Sequence, residues 1–313
     1  MNALGEQVGI GNAHGKIILF GEHSVVYGRP ALAAGLPNGA RARAWSTAQT
    51  STLSVTPWGV TVKPDRERSL SMAFATLLEA AGVSSGVRVE AELEIPGGSG
   101  LGSSAALGVA VLRALDSLRG IDRDEASMLD VSLAWERIFH GNPSGIDNAM
   151  AIAGGLAQYV RGEGNERVRA RKPMMLVIGD SGEPCSTKIT VDNVARQHEK
   201  NRERMEKHFD AIAAIVRNGR LAIEAGDMPA LGQLFDMNQS LLAGMLVSTA
   251  TLEEMIGAAR HAGALGAKLT GGGGGGCMIA LAIDRPSAEK IKDAIEALGK
   301  RAFIAIVGGS EEV

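Results

Sequence analysis

The stretch Gly97-Gly98-Ser99-Gly100-Leu101-Gly102-Ser103-Ser104 constrains this chain more than any other. Residues 87–95 before it alternate apolar and polar side chains, as a half-buried strand requires, and Pro96 stops that strand. Residues 104–118 after it carry Leu107, Val111, Leu115 and Leu118 on one helical stripe, with Gly120 placed as a C-cap. The order is therefore strand, glycine loop, helix. Glycines present successive backbone N–H groups with no Cβ atoms in the way and lead into a helix N-terminus that carries partial positive charge. Such a loop suits phosphate. No Lys-Ser or Lys-Thr follows Gly102, the glycine spacing departs from the dinucleotide fingerprint, and there is no Gly-x-Ser-x-Gly elbow. P-loop, Rossmann and hydrolase readings are thereby set aside.

The 313 residues have room for two domains and a sizeable core. A net charge of −3 gives no basis for nucleic acid or an anionic membrane as partner. No apolar run reaches membrane-spanning length, and residues 1–13 read as a frayed lead-in without a targeting pattern. Cys185 and Cys277 fit no metal spacing, so a reduced, cytoplasmic setting is expected.

Along the chain, residues 16–20 read as a buried strand ended by Gly21-Glu22-His23. Helices are expected at 69–81 and 124–140, the second ended by Gly141. Glu136 in its last turn opposes the helix dipole, which calls for a cation partner. Asp147 follows a Pro/Gly loop as a helix N-cap or as a working carboxylate. The character changes near Arg171-Lys172-Pro173, which puts the domain boundary there: 1–172 and 173–313. Helices at 190–218 and 220–245 follow, and the mixed-charge run 197–207 reads as a solvated face. Residues 251–266 read as helical. Six consecutive glycines ending at Gly276 then lead directly into a buried-strand pattern at 277–283, followed by a helix at 287–298 and a strand at 302–307.

Pro-x3-Gly-Leu-Gly-Ser-Ser-Ala opening an apolar helix resembles the central motif of the GHMP small-molecule kinases. Gly21-Glu22-His23-Ser24-Val25-Val26-Tyr27-Gly28 and His140-Gly141-Asn142-Pro143-Ser144-Gly145-Ile146-Asp147-Asn148 resemble the branch that acts on mevalonate. The glycine run with its strand resembles the third motif, so the resemblance covers nearly the whole chain. Two departures stand out: His14 where relatives often carry proline, and Cys185 where an arginine is expected beside Ser186-Thr187-Lys188.

The resemblance implies an α+β, two-domain GHMP kinase fold: an N-terminal ribosomal-S5-domain-2-like α/β domain and a C-terminal ferredoxin-like α+β domain. It implies transfer of phosphate from ATP, with Mg2+, to the primary hydroxyl of mevalonate. A sibling kinase acting on phosphomevalonate or homoserine is the nearest alternative, and a non-catalytic nucleotide sensor the more distant one. Asp147 and Lys16 are the implied catalytic pair. Gly97, Gly98, Ser99, Gly100, Leu101, Gly102, Ser103, Ser104, Gly272 and Gly273 are the implied ATP contacts, and Ser104 and Glu136 the implied metal ligands. Glu22, His23 and Thr187 are the implied substrate contacts. A substrate carboxylate needs a charge-assisted donor, and without the arginine His23 is expected to supply it through a ring N–H. Lys188, one position beyond Thr187, is expected to face away if that segment is extended. A homodimer is the assembly expected.

Overall fold

The computed structural model describes residues 7–309 apart from 57, 85, 141, 142, 144 and 186, and of 187 and 188 the backbone only. The strands and helices in chain order are β1 (Gly9–Phe20), β2 (Ala31–Ser46), β3 (Thr52–Thr56), β4 (Val60–Val62), α1 (Ser69–Ala80), β5 (Val87–Leu93), α2 (Ser103–Arg119), α3 (Glu125–His140) and α4 (Ile146–Ala153). They continue with β6 (Leu156–Val160), β7 (Gly164–Arg167), β8 (Met174–Asp180), α5 (Thr187–Lys200), α6 (Arg202–Ala225), α7 (Met228–Gly244), α8 (Ala250–His261), β9 (Gly266–Leu269), β10 (Cys277–Ala282), α9 (Arg285–Glu296) and β11 (Arg301–Val307). The backbone divides into two units. One holds residues up to 16, 38–97 and 102–154; the other holds 17–37, 98–101 and 155 onward.

In the first unit β2 runs antiparallel to β5, with Ala40 opposite Leu93 and Ser46 opposite Val87. β5 is parallel to β3, the two being joined through α1 as a parallel crossover requires. The period-2 pattern holds: Val87, Val89, Ala91 and Leu93 are buried while Arg88, Glu90 and Glu92 are exposed. Helix α2 is buried on nearly every side, not along one stripe alone, because α3 covers it and β1 passes close. That close passage explains why the strand starts at Gly9 and not after residue 13. A Cβ at Gly9 would stand 2.0 Å from the Ala114 carbonyl oxygen, and one at Gly11 2.1 Å from that of Ala110. Asp116 of α2 accepts two hydrogen bonds from the Arg123 guanidinium, at 2.7 and 2.9 Å, which fixes the α2–α3 connection.

In the second unit β8, β9, β10 and β11 form an antiparallel sheet ordered β11-β8-β10-β9. β10 is buried along its whole length, as its unbroken apolar sequence requires. The two long helices expected at 190–218 and 220–245 are three. Asn201 caps α6 by accepting from the Arg204 N–H, and Asp227 caps α7 by accepting from Ala230. The run 197–207 therefore straddles a helix break. The helix expected through 266 stops at His261, and 266–269 is strand β9 paired with β10.

Candidate active site

Two consecutive residues of α3 prepare Ser104. Trp135 is fully buried, and its indole N–H donates to the Ser104 backbone carbonyl at 3.0 Å. Gly108, one helical turn beyond, makes room for the ring: a Cβ there would lie 2.7 Å from Trp135 Cδ1. Glu136 then accepts the Ser104 hydroxyl proton at Oε1, 2.5 Å away. Burial pushes the Glu136 carboxyl above the usual carboxylate range. The Ser104 donor, His140 and Lys16 partly offset this, and Asp147 adds to it. His140 Nε2 lies 3.5 Å from Glu136 Oε2, one helical turn on.

Asp147 is not an N-cap. Gly145 occupies that position with φ 84°, and Asp147 sits inside the first turn of α4. Its Oδ1 lies 2.9 Å from Nζ of Lys16, a lysine buried at the centre of β1. Gly102 leaves space for that lysine. It has φ 72° and opens α2 without a side-chain cap, and a Cβ there would come within 3.3 Å of Lys16 Cβ. The first unit therefore gathers Lys16, Asp147, Ser104 and Glu136 around a helix N-terminus. A cation, a carboxylate and two hard oxygen donors are what an in-line phosphoryl transfer calls on. Gly97 begins the loop beside Trp58, whose Nε1 a Cβ would meet at 2.9 Å.

The second unit holds the turn after β1 together with residues 98–101 of the first glycine stretch and all of the second. A Cβ on Gly276 would lie 2.7 Å from the Ser99 carbonyl oxygen, and one on Gly271 3.4 Å from that of Gly100. The glycine run therefore packs on residues 99–100 at a spacing that side chains would prevent. Cys185 joins both stretches, since its Sγ–H donates to the Gly273 carbonyl at 3.0 Å and its N–H to that of Gly98 at 3.4 Å. Burial pushes the Cys277 thiol up to about 12, which leaves it a buried filler and not a nucleophile. Thr270 Oγ1 accepts from the Ile18 N–H and donates to the Ile18 carbonyl, both at 2.9 Å, tying the run back to β1.

Glu22 and His23 are both buried. His23 is held at φ 60°, ψ −44°, a backbone region that costs a non-glycine residue about 1–3 kcal/mol. Its Nε2 meets the Gly272 carbonyl at 2.9 Å. A carbonyl only accepts, so Nε2 carries the proton. Burial holds the ring below its ordinary pKa, and in the neutral ring Nδ1 is then a lone-pair acceptor. That atom is buried without a hydrogen-bond partner among the described residues. The ring N–H of the neutral imidazole, expected to reach a substrate carboxylate, is here engaged by the Gly272 carbonyl. Thr187 opens α5 and is not in an extended segment, so the strand-based facing of Lys188 falls away. The side chains of both lie outside the described residues, as do Gly141, Asn142, Ser144 and Ser186.

The model of the GHMP kinase N-terminal domain matches residues 68–155, and that of the GHMP kinase C-terminal domain residues 220–301. A mevalonate kinase of Pyrococcus abyssi is 34% identical over 297 residues, covering 87% of this chain and 88% of the relative. A mevalonate kinase of Thermococcus onnurineus is 35% identical, covering 89% and 90%.

The chain belongs to the mevalonate kinase family of GHMP kinases.

A solved mevalonate kinase of L. major, in complex with R-mevalonate, superposes with a TM-score of 0.84 at 29% identity, covering 98% of this chain and 96% of that one. The α+β, two-domain GHMP kinase fold expected from the motifs is the fold of this family member. One charged residue escaped the sequence reading. Lys268 of β9 is completely buried, and its ammonium pairs with the Glu22 carboxylate. A lysine inside an otherwise apolar strand, just before the glycines, was the available signal.

Proposed function

We infer that this protein transfers the γ-phosphoryl group of ATP to the primary hydroxyl of mevalonate, giving 5-phosphomevalonate and ADP. The observation that carries the reading is the Lys16–Asp147 pair at 2.9 Å in a member of the mevalonate kinase family. An alcohol gives up its proton reluctantly, so attack on phosphorus needs an acceptor for the proton and a cation for the charge left on oxygen. In this reading an Asp147 carboxylate oxygen takes the hydroxyl proton while the alcohol oxygen forms its bond to the γ-phosphorus. The Lys16 ammonium stabilises the negative charge that develops on that oxygen. The backbone N–H groups of the 97–104 loop, Gly272 and Gly273 hold the phosphates, and the Glu22–His23 turn and Thr187 line the acceptor. Residues 1–172 and 173–313 are the two domains of this reading, acting in the cytoplasm, with a homodimer as the assembly.

Ser104 and Glu136 fit a Mg2+ ion: a hydroxyl and a carboxylate share one short contact, and the carboxylate is buried beside little compensating charge. Held by these two side chains, such an ion would supply positive charge against the transferring phosphates. Ser104→Ala and Glu136→Gln are each expected to raise the Mg2+ needed for half-maximal rate by about tenfold or more, the loss of one strong contact. Unchanged Mg2+ titrations in both variants would remove the assignment. Because the carboxyl's pKa is raised, protons compete with the metal from a higher pH than at an ordinary glutamate. The Mg2+ requirement of the wild type is therefore expected to rise as pH falls below neutrality. The dependence in Glu136→Gln is expected to be flat.

The deciding assay couples ADP release to a dye and offers ATP with mevalonate, phosphomevalonate, homoserine or galactose. Turnover on mevalonate at a kcat/KM about a hundredfold above the others is expected, a difference of about 2.7 kcal/mol in transition-state binding. A preference for any other alcohol would overturn the reading. ATP binding with no turnover on any of them would leave a nucleotide sensor instead.

A further inference from the structure

The Glu22–Lys268 pair is the one fully buried ion pair among the described residues, and the reading above gives Lys268 no part. Both of its side chains are closed off from solvent. Its surroundings are nearly complete: Asn238 of α7 donates its amide to Glu22 Oε2 at 3.1 Å, and Lys268 Nζ also donates to the Leu269 carbonyl at 2.5 Å. Burial pulls the Lys268 ammonium below the usual lysine range, and the Glu22 carboxylate pulls it back. Replacing a pair of this kind by apolar groups of similar volume is often neutral for stability, so a stability role alone does not account for it.

What adjoins the pair is the strained turn. Glu22 is the residue before His23, and Ser24 N–H donates to the Glu22 carbonyl at 2.7 Å across it. On the other side, Lys268 lies four residues before Gly272, whose carbonyl takes the His23 ring N–H. The ion pair and the imidazole thus clamp the same two segments at two points. A backbone held at φ 60° persists only where its surroundings over-determine it.

We propose that Lys268 is a positioning residue: by neutralising Glu22 in a closed pocket it locks the 21–24 turn, so that His23 keeps its imidazole on Gly272 and turns an unprotonated Nδ1 to the acceptor alcohol. An acceptor atom recognises a hydroxyl and repels a carboxylate. The specificity this adds is for a hydroxyl group on the substrate. The inference rests on the proposed kinase reading for its substrate, though not for the state of the imidazole.

The test is the double variant Glu22→Gln/Lys268→Met, which removes both charges and keeps most of the volume. Expected are a folded protein by circular dichroism, a mevalonate KM raised about tenfold or more, and an ATP KM within about threefold of wild type. In NMR of the imidazoles, assigned with His23→Gln, the His23 ring of the variant is expected to titrate at a higher pH than that of the wild type, because the loosened turn lets water reach it. A folded double variant with unchanged mevalonate KM and an unchanged His23 ring overturns the proposal. If the double variant does not fold, Asn238→Ala decides, because it loosens Glu22 with the ion pair intact. A rise of about two- to fivefold in mevalonate KM with ATP KM unmoved supports the clamp, and no rise overturns it. Should the wild type phosphorylate a different alcohol, the kinase reading fails while the imidazole titration still judges this one.

Discussion

Asp147→Asn is expected to lower kcat by about 10²–10⁴-fold while ATP affinity stays within about threefold, because the change keeps the shape and removes the proton acceptor. The geometry sharpens this expectation. Gly145 and not Asp147 caps α4, so the variant gives up no capping hydrogen bond, and its loss of stability is expected to come from buried Lys16, left without its charged partner. Lys16 would face an uncharged amide in place of the carboxylate now 2.9 Å away. Steady-state kinetics together with nucleotide titration check both halves. A variant retaining more than about a tenth of wild-type kcat would reduce Asp147 to a structural partner of Lys16.

Lys268→Met alone carries the largest expected loss of stability. It leaves Glu22, fully buried, to bear an unpaired charge or to take up a proton, and breaking such a pair costs about 3–5 kcal/mol. The Asn238 amide offers only one neutral hydrogen bond in compensation. Urea unfolding of the single variant beside Glu22→Gln/Lys268→Met reads the effect directly: the single change is expected to be the less stable of the two. If both variants unfold at the wild-type urea concentration, the pair is energetically silent.

Much of this was legible in the sequence because the informative signals are local. A strand, a glycine loop and a helix in succession located Ser104, and the Pro/Gly stretch before Asp147 located the carboxylate. Their partners were less legible. Glu22 and Lys268 lie 246 positions apart, and no periodicity connects them. The tautomer of His23 depends on the Gly272 carbonyl, a contact equally remote in sequence. The early start of β1 is a matter of volume, since Gly9 and Gly11 are required by a helix a hundred residues away. The breaks at Asn201 and Asp227 were readable from capping residues, but the charged pattern on either side continues unchanged and hides them. Ala262 to Gly266 looks like more of α8 because small apolar residues suit helix and strand alike; the turn after His261 and the pairing of 266–269 with β10 decide it.

The six glycines between Thr270 and Cys277 resemble a flexible spacer whose length would not matter. They are held at too many places for that. The Gly274 N–H donates to the Val247 carbonyl at 2.7 Å, the Gly276 N–H to that of Glu183 at 3.0 Å, and the Thr270 N–H to the Cys277 carbonyl at 3.0 Å. Cys277 then enters β10 opposite Asp180 and sets its register against β8. One glycine more or fewer displaces the chain by about 3.3–3.6 Å, a whole residue of strand. The tract is therefore counted as well as composed, and a gain or loss of a single repeat unit acts on this protein as a structural mutation, although it alters no side chain.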